Sequence, residues 1–185
     1  MTKPIALAIA ALGLAALTAA GAYLALGRSA PKPEIRAVWT EAEWPFPLDQ
    51  WGTGKAFRCR ALDCGSDVEL YLRAKIGFCN CTTGVADDEE LERVADFDLL
   101  GQPTALGPGR PIAVRFMKGR SRPYSFASLA SSGKSSLTIA FNERCDVIVA
   151  TTVVGRDRPQ QLEPVVLEFL NGDTVMRWAE TTLGL

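Results

Sequence analysis

The sequence predicts an α+β fold: an antiparallel sheet of about six strands with helices packed on it, preceded by one N-terminal transmembrane or signal-anchor helix. Three observations lead there. Residues 67–76 alternate apolar and polar side chains with the period of two that a strand with one buried face requires. From Pro111 to Val154, four strand-like runs follow one another, separated by short turn-rich or charged segments. Helical patterns lie before this series and after it, at positions from which they can cover a sheet.

The chain divides into an apolar start (1–28), a short linker (29–36) and a single domain (37–185), the size one core supports. Its 20 basic and 21 acidic residues nearly cancel, so no whole-domain attraction to nucleic acid is expected. It contains no histidine. That excludes Ser-His-Asp and Cys-His catalysis, imidazole metal ligation and the usual near-neutral acid/base group.

Ile5 to Leu26 is uncharged over 22 residues, with Lys3 before it and Arg28, Lys32 and Arg36 after it. The length matches the roughly 20 apolar residues of a membrane-crossing helix. A cleaved secretory peptide is the competing reading, with Ala20-Gly21-Ala22 or Thr18-Ala19-Ala20 as the cleavage site. The continuation of the apolar core through Tyr23, Leu24 and Leu26 favours an uncleaved anchor. The positive charge after the run argues for a cytoplasmic domain. The signal-like start and the downstream cysteines argue for the extracytoplasmic side, where disulfides persist. The expectation is a single-pass inner-membrane protein with its C-terminal domain in the periplasm, in contact with the membrane through Ile5–Leu26.

Ser29 to Glu34 reads as a spacer. An aromatic arm follows, with Trp39, Trp44, Phe46 and Trp51; Pro45 and Pro47 deny it a regular helix. These rings suit a ligand platform, but core packing is the better expectation because each carries a large apolar area. Ala56–Arg60 and Asp67–Ile76 read as a hairpin around the turn ALDCGS, with Val68, Leu70, Leu72, Ala74 and Ile76 inward and Glu69, Tyr71, Arg73 and Lys75 outward.

The best helix lies within TTGVADDEELERVADFDLLG, capped by Asp87 or Asp88, with Leu91, Val94 and Ala95 inward, Glu89 facing Arg93 and Gly101 as its stop. Its acidic start lacks the alternating oxygen ligands and glycine of a calcium loop and matches compensation of the helix dipole. QPTALGPGRP reads as a loop. Next come IAVRFM, PYSFASL, SLTIAF and CDVIVATTVV, joined by KGRSR, ASSGKS and NER, the last run a central strand. Pro164 opens a helix that Asn171-Gly172 stops, and Asp173 caps a final helix anchored by Trp178.

SSGKSS at 131–136 resembles a phosphate-binding loop only superficially: Ser128 stands where the first glycine belongs, and no helix follows. Arg110, Arg115, Lys118, Arg120 and Arg122 form a basic region suited to an anionic partner or to keeping a strand edge soluble. Trp44, Arg115, Lys118, Arg120 and Arg122 are therefore the candidate binding surface.

Cys59, Cys64, Cys79 and Cys81 are expected to form two disulfides, leaving Cys145 as a free core thiol. Cys79 and Cys81 point to opposite faces if extended, so they should bond different partners. The spacing is not that of a zinc ribbon. No carboxylate pair stands at a recognisable catalytic spacing. The expected function is binding, to a protein partner in the envelope, with no cofactor and no metal; the alternative is a thiol–disulfide or metal-handling protein using Cys79 and Cys81.

Overall fold

The computed structural model describes residues 37–127, 133–155 and 158–185. The anchor and linker expected within 1–36 lie outside the described residues, among which no helix is long and apolar enough to cross a membrane. Eight strands form one sheet: β1 (Trp39–Ala42), β2 (Lys55–Cys59), β3 (Val68–Lys75), β4 (Gln102–Ala105), β5 (Arg110–Val114), β6 (Met117–Ala127), β7 (Lys134–Glu143) and β8 (Asp146–Val153). Their order is β1-β2-β3-β8-β7-β6-β4, with β5 also on β6, and every pair is antiparallel. The mainly antiparallel α+β class is as predicted.

The strand count exceeds the expected six because β1 and β4 are short and carry little pattern of their own. β4 lies in the segment read as a loop, and β1 in the aromatic arm. KGRSR, read as a turn, instead lies in the first half of the eleven-residue β6. Its charges hid a period of two: Met117, Gly119 and Ser121 are buried while Lys118, Arg120 and Arg122 alternate with them. Gly119 is needed there, since a Cβ would lie 2.1 Å from the Ala140 carbonyl oxygen of β7.

One face of the sheet meets the C-terminal helices α3 (Glu163–Leu170) and α4 (Asp173–Leu183). Leu70, Leu72, Leu137, Ile139, Phe141 and Ile148 are fully buried there against Val166, Leu170 and Val175. Pro164 sits in the first turn of α3, as predicted, and Trp39 of β1 stacks on Phe169 at 4.8 Å between ring centroids. Asp173 caps nothing with its side chain; Gly172 is the N-cap of α4. Trp178 is only half-buried, and Val175, Met176 and Ala179 anchor the helix.

The other face was expected to be wet. It is covered by the arm, by residues 77–87 and by the helix α2 (Asp88–Val94), which follows the one-turn α1 (Ala61–Cys64) in the chain. Asp87 caps α2 by accepting from the Glu90 amide, as predicted, and Leu91 and Val94 are buried. Glu90, not Glu89, pairs with Arg93. The helix ends at Val94 rather than running to Gly101, because the chain turns into a short 3-10 segment at Phe97–Leu99.

Candidate binding cleft

The second face holds two apolar clusters. One comprises Cys79, Val85, Leu91, Val94, Ala140, Val147 and Val149; the other has Ala56, Tyr71 and Val153, with Trp44, Phe46 and Leu100 against them. Between them, by register, lies a polar stripe. Thr151 sits between Val149 and Val153 on β8 and faces Thr138 on β7, while Arg73 follows Tyr71 on the same face of β3. Thr138 and Thr151 are buried, and Arg73 and Lys75 are only 2% and 4% exposed. The side chains predicted to face water are thus among the most deeply placed charges of the domain.

Each charge has a partner brought from elsewhere in the chain. Lys75 donates to the Val94 carbonyl at 2.6 Å and approaches Asp96 at 3.0 Å, so it closes the C-terminal end of α2, where a cation is favoured. Arg73 Nη1 donates to Asp49 at 2.6 Å and lies 3.5 Å from Asp96. Burial pushes the Asp96 carboxyl above its usual range, against the pull of Lys75 and Arg73. Burial also acts on Asp49, but the Trp51 amide together with Arg73 and Lys75 outweighs it and holds that carboxyl low. Two cations and two carboxylates make the cluster neutral on balance.

The arm forms a strap over these charges. Trp44 lies over the Arg73 guanidinium at 5.0 Å and makes an edge-on triad with Phe46 and Tyr71. Gly54 permits this approach: a Cβ would fall 2.1 Å from the Leu72 carbonyl oxygen and 2.5 Å from the Trp44 ring. Lys75 Nζ lies 5.6 Å from the centre of the Trp51 ring, and Trp51 packs on Phe78. A cavity of about 340 Å³ opens here, lined by Asp49, Gln50, Trp51, Arg73, Lys75 and Asp96 among others. A larger groove of about 1000 Å³ borders β1, but its charges are on exposed side chains such as Arg58 and Glu69, which pair with each other. The smaller cavity is the better candidate, because among the described residues only there do buried charged side chains line open space.

Arg73 is incompletely satisfied. Its Nε and Nη2 have no hydrogen-bond partner among the described residues, nor do Thr151 Oγ1 and Trp44 Nε1. Orphaned buried donors on a cation are costly, about 1–3 kcal/mol each or more, and mark either function or an occupant.

Of the sequence-selected surface, Trp44 packs over Arg73 but lines the larger groove rather than this cavity, and the basic residues lie elsewhere. Arg120 and Arg122 converge on Asp88 of α2, and Arg122 also reaches Glu92 at 2.7 Å. Arg115, at the β5–β6 turn, pairs with Asp173 at 2.7 Å, and Arg110 pairs with Glu163 at 2.9 Å. Lys118 is exposed. These residues mostly fasten covering helices to the sheet and do not form one patch. Sequence reasoning missed Arg73, Lys75, Asp49 and Asp96; the one local signal was Asp96 set in the apolar run Val94-Ala95-Asp96-Phe97.

The cysteine assignment needs a correction. Cys59 pairs with Cys64, and Cys81 pairs with Cys145, with Cα–Cα separations of 6.0 and 4.2 Å. Cys79 is the free, buried thiol, and Cys145 is not. Cys145 sits in the tight β7–β8 turn rather than inside β8, facing residues 77–87. There the Cys79 amide donates to the Cys145 carbonyl and its thiol to that of Arg144. Cys79 and Cys81 do go separate ways. The two disulfides stand at opposite ends of the eight-residue β3, roughly 25 Å apart at the usual strand rise, so the four cysteines of 59–81 do not share one site. Burial, with Glu90 and Asp146 nearby, pushes the Cys79 thiol up to about 11.

Comparison of the chain with family models, with curated proteins and with solved structures finds no match.

Proposed function

We propose that this protein is a membrane-tethered binding domain of the cell envelope that engages its ligand at the strap cleft. The observation that carries the reading is the placement of Trp51 and Asp49, on a strap outside the strands, against the buried charges of Arg73 and Lys75. A rigid sheet supplies the charges and a loop supplies the cover, which is the usual division of labour in a binding site. Two disulfides support an oxidising compartment, and the uncharged stretch Ile5–Leu26 supports a tether. The thiol-chemistry alternative is weakened by two features: Cys81 is bonded to Cys145, and the Cys79 thiol is buried with a raised pKa.

Two measurements test this. Leu48 is 74% exposed on the strap. A Leu48→Cys variant should react with a membrane-impermeant maleimide in intact cells with a permeabilised outer membrane; labelling only after lysis overturns the compartment. A photo-crosslinking residue at Trp51 should give a discrete adduct in native membranes, and the same residue at Thr181 should not. Equal adducts from both positions, or none from Trp51, overturn the cleft as the binding site.

A further inference from the structure

We propose that the Cys81–Cys145 disulfide is exchangeable, with Cys79 as its built-in partner. The Cys79 thiolate attacks the Cys145 sulfur, a Cys79–Cys145 bond forms, and Cys81 is released as a surface thiol. Nothing in this depends on the cleft. Three of the five cysteines meet around the β7–β8 turn. The Cys79 amide donates to the Cys145 carbonyl at 3.0 Å. The Cys79 thiol donates at 3.3 Å to the carbonyl of Arg144, the group bonded to the Cys145 nitrogen. In antiparallel sheets a hydrogen-bonded pair of residues sets its Cα atoms about 5.5 Å apart, inside the roughly 4.4–6.8 Å that a disulfide spans. Cys145 thus has two cysteines within bonding reach and is paired with one of them.

Exposure sets the direction of the exchange. Cys79 is buried among Val85, Leu91, Val94 and Val147, Cys145 is half-buried and Cys81 is exposed. Attack at the Cys145 sulfur lets Cys81 leave as a thiolate in water, where its charge is solvated. Attack at the Cys81 sulfur would instead leave the charge on half-buried Cys145. Cys81 stands outside the strands and helices, so its release breaks no ladder. The balance closes without an outside oxidant or reductant. One S–S bond breaks and one forms, the Cys79 proton passes to solvent, and Cys81 takes one up. Burial, with Glu90 and Asp146 nearby, keeps the Cys79 thiol protonated at rest, so the exchange is slow and runs through a small thiolate fraction. That burial disfavours thiol chemistry on outside substrates, whereas two groups held side by side by one fold need no encounter. The product is a modification site: an exposed Cys81 thiol open to soft electrophiles, where the resting protein has only a buried one.

The experiment holds the full chain in detergent, without reductant, with excess iodoacetamide in mildly alkaline buffer. Digestion at acid pH and peptide mass spectrometry then map every cysteine. The expected result is alkylated Cys81 together with an equal amount of Cys79–Cys145 linked peptide, and an intact Cys59–Cys64 bond. Cys79→Ala should abolish alkylation at Cys81. Cys81→Ser, folded under air, should close Cys79–Cys145 and leave no titratable thiol in guanidinium. Should either variant fail to fold, the peptide map of the parent decides alone. Alkylation of Cys79 with Cys81–Cys145 intact overturns the proposal, since it reports a buried thiol reached by local opening. Alkylation of Cys145 overturns it by naming the other sulfur as the one attacked. Label spread to Cys59 and Cys64 overturns it too, as scrambling of an unfolded chain. A native protein that stays unlabelled while the denatured chain labels at Cys79 leaves that thiol a plain core group and overturns the exchange.

Discussion

Beneath the C-terminal helices the sheet buries Leu70, Ile139, Phe141 and Ile148 completely, while its opposite face buries Arg73, Lys75 and Asp96 almost as deeply. The first face needs only volume and apolarity, and many side chains would serve. The second must keep each charge paired, and the partners come from three separate segments: the strap, the C-terminal end of α2 and the turn after it. Buried ion clusters seldom stabilise a fold more than apolar residues of the same shape would. The polar stripe is therefore poor value as a core and better explained as a site. Substitutions on the two faces put that contrast to the test.

The largest effect is expected from Asp96→Ala, which leaves Lys75 buried without its carboxylate. Urea denaturation should show a loss of about 3–5 kcal/mol. Replacing the set together, as Arg73→Met, Lys75→Met and Asp96→Leu, should recover most of that loss or exceed the parent. If the triple variant is as unstable as the single one, the stripe is structural and the contrast between the faces collapses. Next in size come the disulfides. Removing Cys81–Cys145, which closes a span of 64 residues, should cost about 4 kcal/mol, whereas removing Cys59–Cys64, which spans 5, should cost about 2. Denaturation of the two Cys→Ser pairs checks the order.

On the apolar face, Ile139→Val removes one methylene and should cost about 0.5–1.5 kcal/mol with no change in the Trp51 adduct. The smallest effect concerns pH. The Glu90 carboxyl is held below its usual range by Arg93; in Asp88, the Gly109 amide with Arg120 and Arg122 outweighs the opposing burial. Both bind protons less readily when folded than when unfolded. Their stabilising contribution is therefore complete above about pH 4–5 and is lost as the pH falls through the lower folded values. Asp96 acts with the opposite sign, since its folded value is raised. The midpoint of thermal unfolding should fall below pH 4, and by less in Asp88→Asn than in the parent. An equal decline in both removes Asp88 from the account.

Much of the fold was legible in the chain. The alternation in 68–75, the capped helix opening after Asp87 and the helix opening at Pro164 are local signals, written by neighbours within one or two turns. The hairpin of β2 and β3 and the β-branched run of β8 follow from the same short-range chemistry. The absence of histidine and the apolar stretch of 5–26 are likewise properties of the chain alone, and they bound which chemistries are open to it. The tertiary structure decided that neither face of β3 is wet. Period two says that alternate residues point opposite ways, but not whether anything covers the second side. Only the long-range return of the strap and α2 turned Arg73 and Lys75 from surface charges into a buried ion cluster. The cysteine pairing was decided the same way, because Cys145 meets Cys81 through the β7–β8 turn across 64 residues, a contact that no local pattern records.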